Sequence, residues 1–406
     1  MPDAADVREG PSRPPNESLW SLFARFLRFG ALAWGGPVAQ IAMIREELVE
    51  RERWISRERF NRVLAVYQAL PGPEAHELCV YFGMLARGRV GAVLAGLGFM
   101  LPGLALMLLL SWAYVKFGLT SPVWRGAMLG CQGAVAALIV RAVVRIGGHA
   151  LSAPVLWLLA LAAAVGLLAG ANPIALLGVA GALHAVWWRL RAPPTEHQDR
   201  GGRDSGRLSC SVPVPAGAGP LPFSLLVSGL AAAPSLWSLL GSGLKAGLLT
   251  FGGAYTAIPF LRSDAVDVGR WMTDAQFLDG LALSAVLPAP FVIFATFVGY
   301  LGGGLAGALV LTAGVFAPAF AFTLLGHDHL ERIVETPSTH AFLDGVTAGV
   351  VGLIAVTAWQ VGVTAVSSTL SMSIFVLSLV ALLRLKAPTT VAWVMAGAAL
   401  AGVLLG

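Results

Sequence analysis

The sequence predicts an all-α integral membrane protein made of two inverted helical repeats, with broken, re-entrant helices where the repeats meet. Three observations carry that prediction. The chain of 406 residues is 57% apolar and only 12% charged. It matches itself when shifted by 217 residues. Helix-breaking motifs recur at equivalent points of the two copies.

Composition comes first. A soluble domain carries about 25% charged residues, and a mean hydropathy of +0.76 puts this chain in the membrane class. Apolar stretches recur at Val90–Tyr114, Gly126–Val140, Ala153–Gly170, Ile174–Trp188, Ala306–Leu325, Val346–Trp359, Ile374–Leu383 and Val391–Leu405. Several reach the ~20 residues that cross a bilayer as helix, and the shorter ones do so with their mildly polar flanks. Barrel strands would be short and alternating, so helices are the reading. Residues 1–18 form a polar tail rich in proline and acids, with no charged segment leading into a cleavable apolar core. Insertion then uses the first membrane helix of a multi-pass protein. Cys79, Cys131 and Cys210 show no metal-ligand or redox spacing, so no metal, disulfide or other cofactor is expected.

The internal match is specific. It sets Gly30 on Gly247, Gly35 and Gly36 on Gly252 and Gly253, Arg45 on Arg262, Arg53-Trp54 on Arg270-Trp271, and Pro71 and Pro73 on Pro288 and Pro290. After one deletion, Gly83, Gly88, Gly91 and Pro102 fall on Gly299, Gly304, Gly307 and Pro318. Apolar bias aligns leucines; it does not register Arg-Trp, Pro-x-Pro and four glycines together. The first transmembrane repeat is therefore residues 19–190 and the second 223–406. Between them, residues 191–222, "RAPPTEHQDRGGRDSGRLSCSVPVPAGAGPLP", have a linker composition.

Residues 1–207 hold 21 lysines and arginines and the remainder holds 6. Arg87 and Arg89 correspond to Gly303 and Leu305, and Arg141 and Arg145 meet an uncharged stretch near Val356–Gln360. Conversely, the neutral loop Gly170–Pro173 corresponds to Arg384 and Lys386. Positive loops mark the cytoplasm, so equivalent loops lie on opposite faces and the repeats are inverted, with linker 191–222 cytoplasmic. Inversion needs an odd number of crossings per half. Five result if Phe60–Ala86 dips in and returns on the same side.

Each half carries two breaks: "AWGGPVAQ" (33–40) with "TFGGAYTA" (250–257), and "ALPGPEAHE" (69–77) with "VLPAPFVIF" (286–294). Non-helical backbone at membrane depth survives only where protein or a wet cavity covers it. Broken segments at equivalent points of two repeats mark a transport site near the midplane. A helix restarting after Pro-x-Pro presents free N–H groups and a positive dipole end, which suits an anion. Gly35, Gly36, Gly252, Gly253, Pro71, Gly72, Pro73, Pro288, Ala289 and Pro290 are the candidate backbone of that site. The competing reading makes these motifs simple kinks. It fits a single Gly-Gly, and it fits the small-residue pairs Gly126/Gly130 and Gly345/Gly349, which read as helix contacts.

Arg28 and Lys245 lie seven residues before their Gly-Gly pairs, two turns back on the same helix face. A cation in a membrane span costs about 2.5–3.5 kcal/mol on insertion scales, so it faces a cavity or partner unless it snorkels to the interface. Its recurrence in both repeats makes it a candidate substrate ligand. Arg45, Arg53, Arg262 and Arg270 sit among acids in polar connections and read as interfacial ion pairs. On a helix beginning at Pro73, Glu74, Glu77 and Tyr81 share a face with His76 beside it. Glu74 in the first turn complements the dipole. Glu77, one turn deeper, is the candidate proton-coupling group, with Glu74 and His76 as alternates. The second repeat has only Phe291–Phe294 at these places, so the first half is the one expected to carry protons.

These motifs resemble those of the chromate ion transporter family in its long, two-domain form. The resemblance rests on "FLRFGALAWGGP" with "LPGPEAHELCVYFGMLARGRVGAVLAGLGFMLPG", and on "GLLTFGGAYTAIPF" with "LPAPFVIFATFVGYLGGGLAGALVLTAGVFAPAF". It implies an inner-membrane carrier that exports chromate at the expense of the proton motive force and confers chromate resistance. The second motif departs from the usual Pro-Gly-Pro by Ala289, and the acidic cluster after the first is denser than the family's. The partners expected are chromate or a related oxyanion such as sulfate, protons and the lipid bilayer, with no nucleic acid; a homodimer stays open. The alternatives from other classes are a passive anion channel and a membrane-embedded enzyme. Against the latter, no HExxH, GxSxG or phosphate-loop pattern occurs, and His327-Asp328-His329 flanks a span end.

Overall fold

The computed structural model describes residues 17–34, 36–118, 121–191, 234–251, 253–334, 337–385, 387 and 389–405. Gly35, Gly252, residues 1–16 of the polar tail, Cys210, Lys386 and residues 192–222 of the linker lie outside the described residues, as do the side chains of His327, Asp328 and His329. Among the described residues there are helices and no β-strand.

The first half runs through α1 (Leu19–Ala31), α2 (Pro37–Arg45) with a π-helical turn (Glu46–Arg51), α3 (Arg57–Ala69), α4 (Glu74–Phe117), α5 (Pro122–Ala150), α6 (Pro154–Leu168) and α7 (Pro173–Arg191). The second half runs through α8 (Leu236–Leu248), a 3₁₀ turn (Ala254–Ala257), α9 (Ile258–Arg262) with a π-helical turn (Ser263–Val268), α10 (Asp274–Val286), a 3₁₀ turn (Phe291–Ile293), α11 (Phe294–Val334), α12 (Pro337–Ala365), α13 (Thr369–Arg384) and α14 (Thr390–Leu405). Among the described residues, five helices are long and apolar enough to cross a membrane: those within 74–117, 122–150, 173–191, 291–324 and 338–365. Helices α6, α13 and α14 are apolar and shorter.

Local chemistry sets the helix starts. Ser18, Ser56, Ser235 and Thr273 each accept a hydrogen bond from a backbone amide three residues on, which satisfies one of the amides that a helix leaves without an internal acceptor. Prolines open α2, α5 and α6, where no N–H is needed. The turn before α3 places Arg53 at φ 53°, and the turn before α10 places Arg270 at φ 52°. Two non-glycine residues in the left-handed region at equivalent positions mark a turn imposed by its surroundings. It is closed in both halves by the following tryptophan amide, Trp54 to Leu48 O and Trp271 to Ala265 O.

Helix α4 is two helices joined at a corner. Arg87 and Gly88 leave helical geometry, and Gly88 adopts φ 60°, ψ −152°, a region open in practice to glycine alone. Gly304 repeats the positive φ in α11, at 58°. The arms fold back against each other with no room for a side chain: a Cβ on Gly83 would lie 2.4 Å from the Gly91 carbonyl oxygen, and one on Gly299 2.5 Å from that of Gly307. Helix α1 lies along the second arm of α4, with Gly30 against the Phe99 carbonyl, and α8 lies on α11 with Gly247 against the Val315 carbonyl.

The long helices exchange partners between halves. Helix α5 packs on α14 through Gly126 against Gly402 and Gly130 against Ala398. Helix α12 packs on α7 through Gly345 against Ala180 and Gly349 against Leu177. In each pair residue numbers rise on one helix as they fall on the other, so both pairs are antiparallel. Helix α5 also meets α13 at Gly133 and Ser371, and α12 meets α6 at Gly352 and Ala160. Small residues let the backbones approach where lipid offers no hydrophobic drive to association.

These contacts predict a split between glycines. In Gly130→Ala the new Cβ meets the Ala398 carbonyl at 1.9 Å, and overpacking of this kind costs about 1–3 kcal/mol. Gly148 has nothing within 4 Å, so Gly148→Ala keeps or slightly raises stability through helix propensity. The thermal midpoint of the purified protein in detergent checks both.

Candidate functional site

Four breaks in the helices come together where the halves meet. Leu70 is extended (φ −87°, ψ 155°), because the residue before a proline is pushed out of the helical region, and Pro71 and Pro73 lack the N–H that would carry α3 onward. Helix α4 restarts at Glu74 with Pro73 as its N-cap, one residue later than the sequence pattern placed it. Pro71, Gly72 and Pro73 are buried, and so are Pro288, Ala289 and Pro290 of the second tip.

Each tip is fastened to the other half. The Gly72 amide donates to the Thr250 carbonyl at 2.8 Å, in the break that follows α8. Gln40, 1% exposed on α2, donates through Nε2 to Ala33 O at 3.0 Å and to Ala289 O at 3.1 Å. One side chain therefore joins the first Gly-Gly break to the second half's Pro-Ala-Pro tip. Ala289 also abuts Gly103 in the middle of α4, where a Cβ would fall 2.4 Å from that of Ala289. Gly36 (φ 81°) faces the Tyr255 hydroxyl, and Tyr255 packs on Phe291 with ring centres 4.6 Å apart. The structure thus brings together Gly36, Pro71, Gly72, Pro73, Gly253, Pro288, Ala289 and Pro290 as the backbone of one region. The opening turns of α2 and α4 face it with amides that have no acceptor four residues earlier in the helix.

Glu77 is fully buried and neither of its carboxylate oxygens has a hydrogen-bond partner. Its carboxyl presses on the first tip: a Cβ at Gly72 would lie 2.5 Å from Glu77 Oε1. An unpaired ionised carboxylate buried this way costs several kcal/mol. Glu74, at the mouth of the same helix, is half-buried. His76 is enclosed by aromatic rings, Phe99 at 6.5 Å and, from the second half, Phe316 at 4.9 Å and Phe320 at 4.8 Å. It sits as packing between the halves.

The candidate cations are paired. Arg28 forms an ion pair with Glu47, and Lys245 forms one with Asp264, at the same positions of the two repeats. Arg28 is exposed, with its guanidinium over the Phe29 ring. The arginines of the connections follow the same scheme. Arg45 pairs with Glu50 at 3.1 Å, and Arg262 with Asp267 at 3.0 Å and Asp274 at 2.7 Å. The charge balance differs between the halves. Glu50 is hydrogen-bonded by Arg57 and Arg45, which hold its carboxyl below the ordinary range. At the equivalent position Asp267 is raised, because burial and the neighbouring Asp274 outweigh the pull of the single Arg262.

Two functional-looking groups escaped the sequence reading. Gln40 is the one non-glycine polar residue in a quoted break, "AWGGPVAQ", and that isolation was its signal. Asp279 is a lone acid in the apolar run "FLDGLALSAV". It is 3% exposed and accepts hydrogen bonds from Tyr114 Oη at 2.8 Å and Gln132 Nε2 at 2.7 Å. Both donors belong to the first half. Among the described residues no cluster of three or more His, Cys, Asp or Glu is placed to hold a metal ion.

The model of the family described as "Chromate transporter" matches residues 20–185 and 237–403. A chromate transport protein of Pseudomonas aeruginosa is 50% identical over 97% of this chain and 94% of its own length. One of Cupriavidus metallidurans is 33% identical over 84% of this chain and 82% of its own. A probable chromate transport protein of Synechococcus elongatus is 30% identical over 84% of each chain. No solved structure matches.

The bridge through Gln40 yields a stability prediction. Gln40→Leu strips donors from two buried carbonyls and lowers stability by about 1–3 kcal/mol, read as a drop in thermal midpoint. The exposed Gln68→Leu on α3 leaves it unchanged.

Proposed function

The chain belongs to the chromate transporter family, and on that premise we propose that it is a secondary carrier of the cell inner membrane that exports chromate, driven by the proton motive force. The observation that carries this reading is the cross-fastening of the broken tips: Gly72 to Thr250 and Gln40 to Ala289. A transport site shared by two halves must be made of elements whose mutual contacts open and close. Here those contacts include two hydrogen bonds that hold the non-helical tips, beside helix-start amides without an acceptor four residues earlier, a setting suited to a tetrahedral dianion.

The two halves are proposed to be inverted, with re-entrant tips. Short connections make α5, α6 and α7 run alternately, so α7 follows the direction of α5; α12, antiparallel to α7, then runs opposite to α5, its counterpart. The hairpins agree. The first turns back into α4 at Gly88, beside the start of its second arm. The second reaches α4 from the other end, through Tyr114 at Asp279 and Gly103 at Ala289. Each of α3 and α10 has 13 residues, about 20 Å of helix, against ~30 Å of hydrocarbon. Such a helix passes the middle of the bilayer but is too short to cross it. On this reading linker 191–222 lies in the cytoplasm, between proposed repeats at 19–190 and 223–406.

In the cycle, the tip amides with Arg28 and Lys245 hold the oxyanion. Glu47 and Asp264 hold those cations in place between turnovers and release them to the substrate. Glu77 takes up and gives up the coupling proton: among the described residues neither of its carboxylate oxygens has a hydrogen-bond partner, and a proton is the partner that neutralises it. Sulfate, close to chromate in charge and shape, is the second reading for the substrate, and competition in vesicles separates them.

Uptake of chromate into inside-out vesicles tests the whole. It should require a proton gradient and collapse with an uncoupler; flux indifferent to the gradient identifies a channel. Arg28→Ala and Lys245→Ala should each reduce uptake at least tenfold, while Arg384→Ala does not. The swap Arg28→Glu with Glu47→Arg restores the ion pair and the thermal midpoint without restoring transport. Glu77→Gln folds and loses the pH dependence of transport; unchanged proton coupling in that variant removes Glu77 from the mechanism.

A further inference from the structure

Asp279 is not used by the mechanism above. It lies on α10, the entering arm of the second hairpin, and both its oxygens are occupied by first-half donors: Tyr114 at the far end of α4 and Gln132 on α5. A cavity of about 90 Å³ adjoins its partner Tyr114, lined also by Trp124, Met128 and, one turn beyond Asp279 on α10, Leu283. That volume has room for a few water molecules. We propose that Asp279, Tyr114 and Gln132 form a latch that holds the second hairpin shut against the first half, and that its opening to the adjoining cavity is a step of the transport cycle. The inference rests on the carrier reading.

Three features separate a latch from a structural join. The fold does not require it, since the equivalent position of the first half is Arg62, which is exposed. Its energetics are balanced: a buried carboxylate between neutral donors loses to desolvation much of what its two hydrogen bonds return. It also has a counterpart at the other hairpin, where Tyr67 on α3 meets Thr323 of α11, hydroxyl to hydroxyl, at 3.0 Å. Each hairpin's entering arm is thus tied to the long helix of the opposite half through a tyrosine hydroxyl, and a carrier opens to one side at a time by releasing one tie.

Cys131, next to Gln132 and 2% exposed, is a built-in reporter. With Cys79→Ser and Cys210→Ser it becomes the sole thiol of the full chain, and its rate of modification by N-ethylmaleimide in proteoliposomes reads the latch without any substrate. Asp279→Ala and Tyr114→Phe should each raise that rate at least fivefold. Asp279→Asn should stay within twofold of the parent, because the Gln132 amide can turn to accept from the new Nδ2 while Tyr114 still donates to Oδ1. That contrast also excludes an effect of lost charge on the thiol. A companion chain keeping only Cys79 should show no change. An unmoved Cys131 rate in both disruptive variants overturns the latch, as does a parallel rise at Cys79, which signals general loosening. Should Asp279→Ala fail to fold, Tyr114→Phe decides alone. Maximal chromate flux in Tyr114→Phe should fall severalfold, and unchanged flux beside raised labelling overturns the latch's place in the cycle. If the parent moves no chromate, the carrier reading fails while the labelling still judges the latch.

Discussion

A backbone amide or carbonyl buried away from water must find a partner, and in this protein that requirement joins the two halves. Where the chain breaks helix at Pro71-Gly72-Pro73 and again at Pro288-Ala289-Pro290, the freed polar groups are met by Thr250 and Gln40, each from the opposite half. Most other architectural features serve these meetings. The corner at Gly88 turns α4 back so that its first arm can present Glu77 and the tip. The glycines along α1, α4, α8 and α11 bring those helices into backbone contact.

Duplication supplies a frame that is symmetric in backbone and unequal in chemistry. The left-handed arginines, the π-helical turns, the paired cations and the corner glycines occur at equivalent positions in both halves. The buried acids do not. Glu77 sits on the returning arm of one hairpin and Asp279 on the entering arm of the other. The direct counterpart of Glu77 is Phe294, so matching position by position leaves the acid chemistry to the first half alone; the second acid is visible only when each hairpin is taken as a unit.

The membrane class, the helical architecture and the location of the breaks were legible because composition and proline-glycine punctuation act locally. The kink in α4 was half legible: Gly88 was known to recur, yet nothing in an apolar run says which of several glycines bends the chain. The pairing of Arg28 with Glu47 and of Lys245 with Asp264 is not legible in the sequence. Their separation of 19 residues spans a Gly-Gly break whose geometry no periodicity rule supplies. Gln40 and the Asp279 cluster escaped for the same reason. Their partners lie 249, 165 and 147 residues away in sequence, and such encounters are a property of the assembled halves.

The Gly72 and Gln40 bonds have one further consequence. Because each half completes the hydrogen bonding of the other, neither is a self-sufficient module, and tethering them in one polypeptide guarantees that every molecule contains one of each. Under that guarantee the two copies are free to specialise, as the subunits of an obligate heterodimer do, and a defect in one cannot be complemented by doubling the other.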